Sequence, residues 1–160
     1  MLLAATLDRA TKIWVVGSLP FETPVTVIPG LERIFTFTYI HNTGAAFGML
    51  PQLGSVFAVV AVVVALGLMV WYQHLPVQHL LVRIAVGLVA GGALGNFVDR
   101  VRTGYVVDFL HFHFWPIFNV ADSSVFVGVI ILGAYMLLAE EAAEKAAPRR
   151  DSLERSQPDA

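Results

Sequence analysis

The chain has 160 residues, enough for one domain, of which 57% are hydrophobic and only 14% charged, a balance that excludes an ordinary water-soluble fold and points to lipid as the solvent. A formal net charge of -2, with no basic stripe ahead of the C-terminal tail, excludes a nucleic-acid partner. The absence of cysteine excludes a disulfide framework, a thiolate nucleophile and any cysteine-based metal centre.

Four segments approach the roughly 17 to 25 helical residues needed to cross the hydrocarbon layer: 1–19, 55–72, 80–98 and 120–139. The first carries Asp8, Arg9 and Lys12 and lacks a signal-cleavage site, so it reads as a retained span. Asp8 and Lys12, four residues apart, meet on one helix face, either as a structural pair that orients the helix or as a polar wall of an active cavity. Residues 20–54 form an outer loop, in which 25–28 and 34–39, flanked by Pro24, Pro29 and Gly30, read as two short strands around a turn. The stretch HNTGAAFGML then places Asn42 before small residues, as a turn into the second span or as an element that presents Asn42 to a peptide.

The second span, SVFAVVAVVVALGLMVWY, is apolar on every face and ends in a Trp-Tyr pair suited to the headgroup level. Residues 73–79 form a short cytoplasmic turn, which makes the second and third spans antiparallel neighbours. Gly91, Gly92 and Gly95 thin one side of the third span for close helix packing. Asn96, Asp99 and Arg100 follow on one face at its outer end, as an interfacial cap or a cavity lining, with Arg100 and Arg102 as the nearby cations for Asp99.

The second outer loop, 99–119, holds a strand at 105–114 with Val106, Asp108, Leu110 and Phe112 on one face and His111 and His113 on the other. Asn119 precedes Asp122 by three residues, the spacing of an N-cap and an N3 position at the start of the fourth span. Residues 1–141 are thus one integral-membrane domain, and 142–160 a charged tail expected to be disordered. Lys145, Arg149, Arg150 and Arg155 assign that tail, and with it both termini, to the cytoplasm. The fold class is an all-α membrane protein with a small β element: four transmembrane helices and a small antiparallel sheet at the outer surface.

Three aspartates lie between the last two apolar runs, where an ionised carboxylate costs roughly 2.5 to 3.5 kcal/mol and marks a functional site unless it is paired. Asp108, in VVDFLHF, and Asp122, in FNVADSS, have no adjacent cation. Brought together, two such acids share one proton near neutral pH and form an acid/base pair, which reads as aspartic peptidase chemistry inside a membrane. The helix dipole at Asp122 makes it the base and Asp108 the proton holder. Other schemes fit less well. His111 and His113 lack a third metal ligand nearby, and Ser123 and Ser124, conceivable nucleophiles with Lys12, lack a nucleophile-elbow setting. A small transporter or proton channel is the main alternative, although Asp99, Asp108 and Asp122 map to one outer boundary rather than along a pathway through the membrane.

Five blocks in order, LDRATK, HNTGAAF, GGALGNFVDR, VVDF and FNVADSS, make the chain resemble the lipoprotein signal peptidases, the type II signal peptidases of bacteria. The resemblance departs at Arg9, where that family usually has Gln, and in the few residues ahead of Asp8. It implies a bacterial inner-membrane enzyme whose extracytoplasmic sheet cradles an aspartyl dyad of Asp108 and Asp122. By the same resemblance Asp8, Lys12, Asn42, Asn96, Asp99, Arg100, Asn119 and Ala121 line or brace the cavity. The implied substrate is a prolipoprotein, cut on the N-terminal side of a diacylglyceryl-modified cysteine. No metal, cofactor or obligate protein partner is called for beyond that substrate and the membrane lipid.

Overall fold

The computed structural model describes residues 1–44, 54–73 and 80–146. Its elements follow in the order α1 (Leu2–Ser18), β1 (Pro24–Val25), β2 (Phe35–Asn42), α2 (Gly54–Gln73), α3 (Leu80–Thr103), β3 (Val106–Phe112) and α4 (Val120–Ala146). The turn expected at 73–79 lies outside the described residues beyond Gln73, as do the small residues of HNTGAAF from Ala45 onward and the tail from residue 147.

Two of the four helices, Leu80–Thr103 and Val120–Glu140, are long and apolar enough to cross a membrane among the described residues, and the apolar stretch Val59–Gln73 is shorter. Half of the apolar window of α3 is buried inside the protein against 17% of that of α4, so α3 is the central helix and α4 turns most of its apolar surface outward. α3 packs against α1, α2 and α4. Glycines make these approaches close: a Cβ at Gly92 would fall on the carbonyl oxygen of Ala121 in α4, and one at Gly91 would meet the Ala4 Cβ of α1 at 2.8 Å. The helix-packing role read for these glycines therefore holds.

The C-terminal ends of the last two helices differ from expectation. α3 continues five residues past 98, because nothing in DRVRT breaks a helix, and it stops at Gly104, whose φ of 82° and N–H bond to Arg100 O at 3.0 Å cap the last turn. The first five residues of the loop expected at 99–119 are thus helical. α4 likewise runs through Ala146, five residues into the segment expected to be disordered, since Ala, Glu and Lys are strong helix formers.

The three strands form one antiparallel sheet in the order β1-β2-β3. β1 is shorter than the expected 25–28 and starts one residue earlier. It pairs Pro24 with Thr38 and Val25 with Phe37 on the edge, where proline's missing donor is tolerated, and a turn then begins with Leu31 N–H bonded to Ile28 O. β2 extends past the expected 34–39 to Asn42, so that His41 pairs with Val107 and Asn42 with Val106. A register irregularity between Phe37 and Ile40 sets Ile40 opposite Asp108. The sheet lies over the outer end of α1 through a core of Val15, Tyr39, Val107 and Phe109, with Trp14 edge-on to Phe37 at 5.8 Å. After β3 the chain doubles back. Reciprocal bonds between Leu110 and Phe118, at 2.8 and 3.1 Å, lead Asn119 in beside Asp108 at the start of α4.

Candidate active site

Asp108 leaves the middle of β3 with 1% of its surface exposed, and Asp122 stands half-buried in the first turn of α4. Three asparagines supply one donor to each of their four carboxylate oxygens. Asn119 Nδ2 reaches Asp108 Oδ1 at 2.6 Å, and Asn42 Nδ2 reaches Asp108 Oδ2 at 2.7 Å. Asn96 Nδ2 reaches Asp122 Oδ1 at 2.7 Å, and the Asn119 backbone N–H reaches Asp122 Oδ2 at 3.1 Å. A carboxylate oxygen accepts two hydrogen bonds, so among the described residues each has room for one more, from a water or a substrate group. Among the described residues neither acid makes an ion pair.

Local sequence explains the placement. Asn119 caps α4 as its spacing predicts: its Oδ1 accepts the Asp122 N–H at 2.9 Å, and the Asp122 carboxylate answers through the Asn119 N–H. The Ala121 N–H, another orphan donor of that first turn, goes to Asp8 Oδ1 at 3.0 Å. Ala121 is fully buried against Gly92 and Gly95, which limits its side chain to a methyl group. Asn42, open to a reading as part of a turn or as a group facing a peptide, donates its amide to Asp108 at 2.7 Å while its own oxygen accepts the Gly44 N–H at 3.0 Å.

Behind the dyad lies a buried ion cluster. Lys12 Nζ donates to Asn96 Oδ1 at 2.9 Å and forms ion pairs with Asp8 Oδ2 at 2.8 Å and Asp99 Oδ2 at 2.7 Å. Both open readings of Asp8 and Lys12 are thereby joined, since the pair orients α1 and also touches the wall that faces the dyad. An ammonium can only face an amide oxygen, so Lys12 fixes the Asn96 carboxamide with its NH2 toward Asp122. The nearby cations expected for Asp99 are not its partners. Asp99 pairs with Lys12 and with Arg9 Nη1 at 3.4 Å, because neighbouring side chains on a helix point about 100° apart. Arg100 instead donates through Nη2 to Gly44 O at 2.7 Å, tying α3 to the end of β2. Arg9, which has no acid of its own on α1 once Lys12 takes Asp8, finds one in Asp99 across the helix pair.

Burial pushes the Asp108 carboxyl up to about 7, with help from the charge of Asp122 and against the amide donors of Asn42 and Asn119 and the ammonium of Lys12. A carboxyl raised toward neutrality beside a second carboxylate has the electrostatics of an acid/base pair. Among the described residues the serines and histidines of the other schemes have partners of their own. Ser123 and Ser124 donate back to Asn119 O and Val120 O, at 2.9 and 2.8 Å, and Lys12 is fully engaged elsewhere. His111 and His113 face Thr38 and Thr36 on the sheet, at 3.0 and 3.4 Å.

The chain is similar to known proteins over most of its length. The family model described as signal peptidase (SPase) II matches residues 1–138. The chain is 42% identical over 137 residues to a lipoprotein signal peptidase of Moorella thermoacetica, covering 86% of this chain and 89% of that protein. It is 40% identical over 141 residues to one of Halothermothrix orenii, covering 88% and 94%. A solved structure described as a bacterial membrane enzyme superposes with a TM-score of 0.79 at 31% identity, covering 92% of this chain and 90% of its own.

Proposed function

This chain belongs to the signal peptidase II family, and on that premise we propose that it is an intramembrane aspartic endopeptidase that removes signal peptides from prolipoproteins. The bond cut is the one on the N-terminal side of a diacylglyceryl-modified cysteine. The observation that supports the aspartic assignment is the pair of carboxylates held by one residue, Asn119, its side chain on Asp108 and its backbone N–H on Asp122. The transport alternative is set aside, since the matched family is a peptidase family.

In the proposed reaction Asp122 takes a proton from a water whose oxygen attacks the scissile carbonyl, while Asp108 gives its proton to the developing oxyanion. Collapse of the tetrahedral intermediate breaks the C–N bond, passes the proton of Asp122 to the leaving amine and returns the hydroxyl proton to Asp108. Asp108 suits the acid role because it is the more deeply buried of the two and retains its proton to about pH 7. Asp122 suits the base role because its two donors already point at the site of the charge. The acyl chains of the substrate lie in lipid beside the bundle, so the cysteine is anchored at the level of the dyad.

The wider assignment follows the same reading. All four helices cross a bacterial inner membrane as one domain, residues 1–141, with both termini in the cytoplasm and the sheet outside. The test is cleavage by the purified full chain in detergent of a diacylglyceryl-cysteine peptide beside the same peptide with a free cysteine. Cleavage of the first alone supports the proposal. Failure to cleave either, together with proton flux through liposomes carrying the protein, contradicts it.

A further inference from the structure

A second feature stands apart from the carboxylates: a groove of about 440 Å³ between α1 and α3. Leu2, Ala5 and Ile13 line one wall, Leu94 and Val98 the other, and Arg9 and Arg102 contribute the cations. Both helices run toward the sheet-covered end of the protein, so Arg102, in the last turn of α3, marks the outer mouth. The eight residues from Leu2 to Arg9 give roughly 10 Å of mostly apolar wall leading inward.

The charges at the mouth do not cancel. Two acids, Asp8 and Asp99, stand against three cations, Lys12, Arg9 and Arg102, an excess of one positive charge. Lys12 holds both acids at under 3 Å, whereas Arg9 reaches Asp99 only at 3.4 Å with 41% of its side chain exposed. Arg102 is exposed and makes no ion pair among the described residues.

We propose that this groove binds an anionic glycerophospholipid, with its phosphate between Arg9 and Arg102 and one acyl chain along Leu2, Ala5, Leu94 and Val98. Guanidinium forks match phosphate oxygens in pairs, and the groove changes from cationic to apolar in the direction such a lipid requires. A neutral diacylglyceryl group would fill the apolar part, leave the Arg102 guanidinium unanswered and add nothing to the long Arg9–Asp99 contact, which is why the occupant carries a phosphate. A lipid seated there clamps α1 to α3, the two helices that carry Asp8, Lys12 and Asp99. The site is independent of the peptidase reading, and its test involves no cleavage.

The test is native mass spectrometry of the full chain released from detergent micelles containing either phosphatidylglycerol or dioleoylglycerol. Phosphatidylglycerol should stay bound preferentially. Arg102→Gln should weaken its retention about fivefold, the effect of one basic residue near an anionic headgroup. Leu94→Trp, which fills the groove and leaves the charges alone, should weaken it as well, and Val98→Phe replaces it should the larger ring prevent folding. Equal retention of the two lipids, or phosphatidylglycerol retention unchanged in either the charge variant or the groove-filling variant, would overturn the proposal.

Discussion

Asn119 and Asp108 are joined at 2.6 Å, from the amide Nδ2 to carboxylate Oδ1, while the backbone N–H of the same asparagine holds Asp122 at 3.1 Å. A single residue therefore sets the position of both acids, and its side-chain oxygen caps the helix on which Asp122 sits.

The cap and the bridge can be separated. Asn119→Ala loses both, and should cost about 1 kcal/mol of stability for the missing cap together with most activity. Asn119→Ser keeps a capping oxygen but has no second donor for Asp108. It should restore the melting temperature and leave the catalytic rate low, checked by thermal unfolding beside peptide cleavage.

Asp108 should impose an alkaline limit. Its folded-state pKa is raised to about 7 by burial and by Asp122, so the folded chain binds a proton that the unfolded chain releases. The stability this group contributes is complete below about pH 4 and is lost as pH rises through about 7. The dyad loses its shared proton over the same interval, so kcat/KM should fall as pH rises through about 7. Difference infrared spectroscopy should show a protonated carboxyl band that fades across that interval and is missing from Asp108→Asn.

Lys12 neutralises Asp8 and Asp99 in a site where both are almost fully buried. Lys12→Met leaves two buried charges without their strongest partner and should cost about 3 to 5 kcal/mol. Adding Asp99→Asn removes one of those charges, so the double variant should be more stable than Lys12→Met alone, a non-additivity that thermal unfolding measures. Activity should stay low in both, because the Asn96 amide is no longer held with its NH2 toward Asp122.

Gly95 should tolerate no side chain. A Cβ there would meet Asp8 Oδ2 at 2.5 Å and push the carboxylate off the Ala121 N–H. Gly95→Ala should cost about 1 to 3 kcal/mol, whereas Gly133→Ala, in the open part of α4, should be close to neutral.

Much of this arrangement was legible along the chain. Long apolar runs locate the helices, the absence of cations beside Asp108 and Asp122 isolates the two acids, and the three-residue step from Asn119 to Asp122 announces the cap. What stayed hidden was every contact made across the fold. Asn42 lies 66 residues from Asp108, and Lys12 lies 84 from Asn96, and no local spacing encodes such pairings. Asp99 misled for a different reason: proximity in sequence favoured Arg100, while the helix turned that side chain toward Gly44. The strand limits moved because a bulge and an edge proline depend on the partner strand rather than on their own residues.

The most direct measurement is the rate at which purified Asp108→Asn and Asp122→Asn cleave a diacylglyceryl-cysteine peptide, with thermal unfolding confirming that each is folded. Each variant should lose about 10²- to 10⁴-fold in kcat, the share that a general acid or base contributes. Cleavage at the parent rate by either folded variant would contradict an aspartyl dyad in this protein.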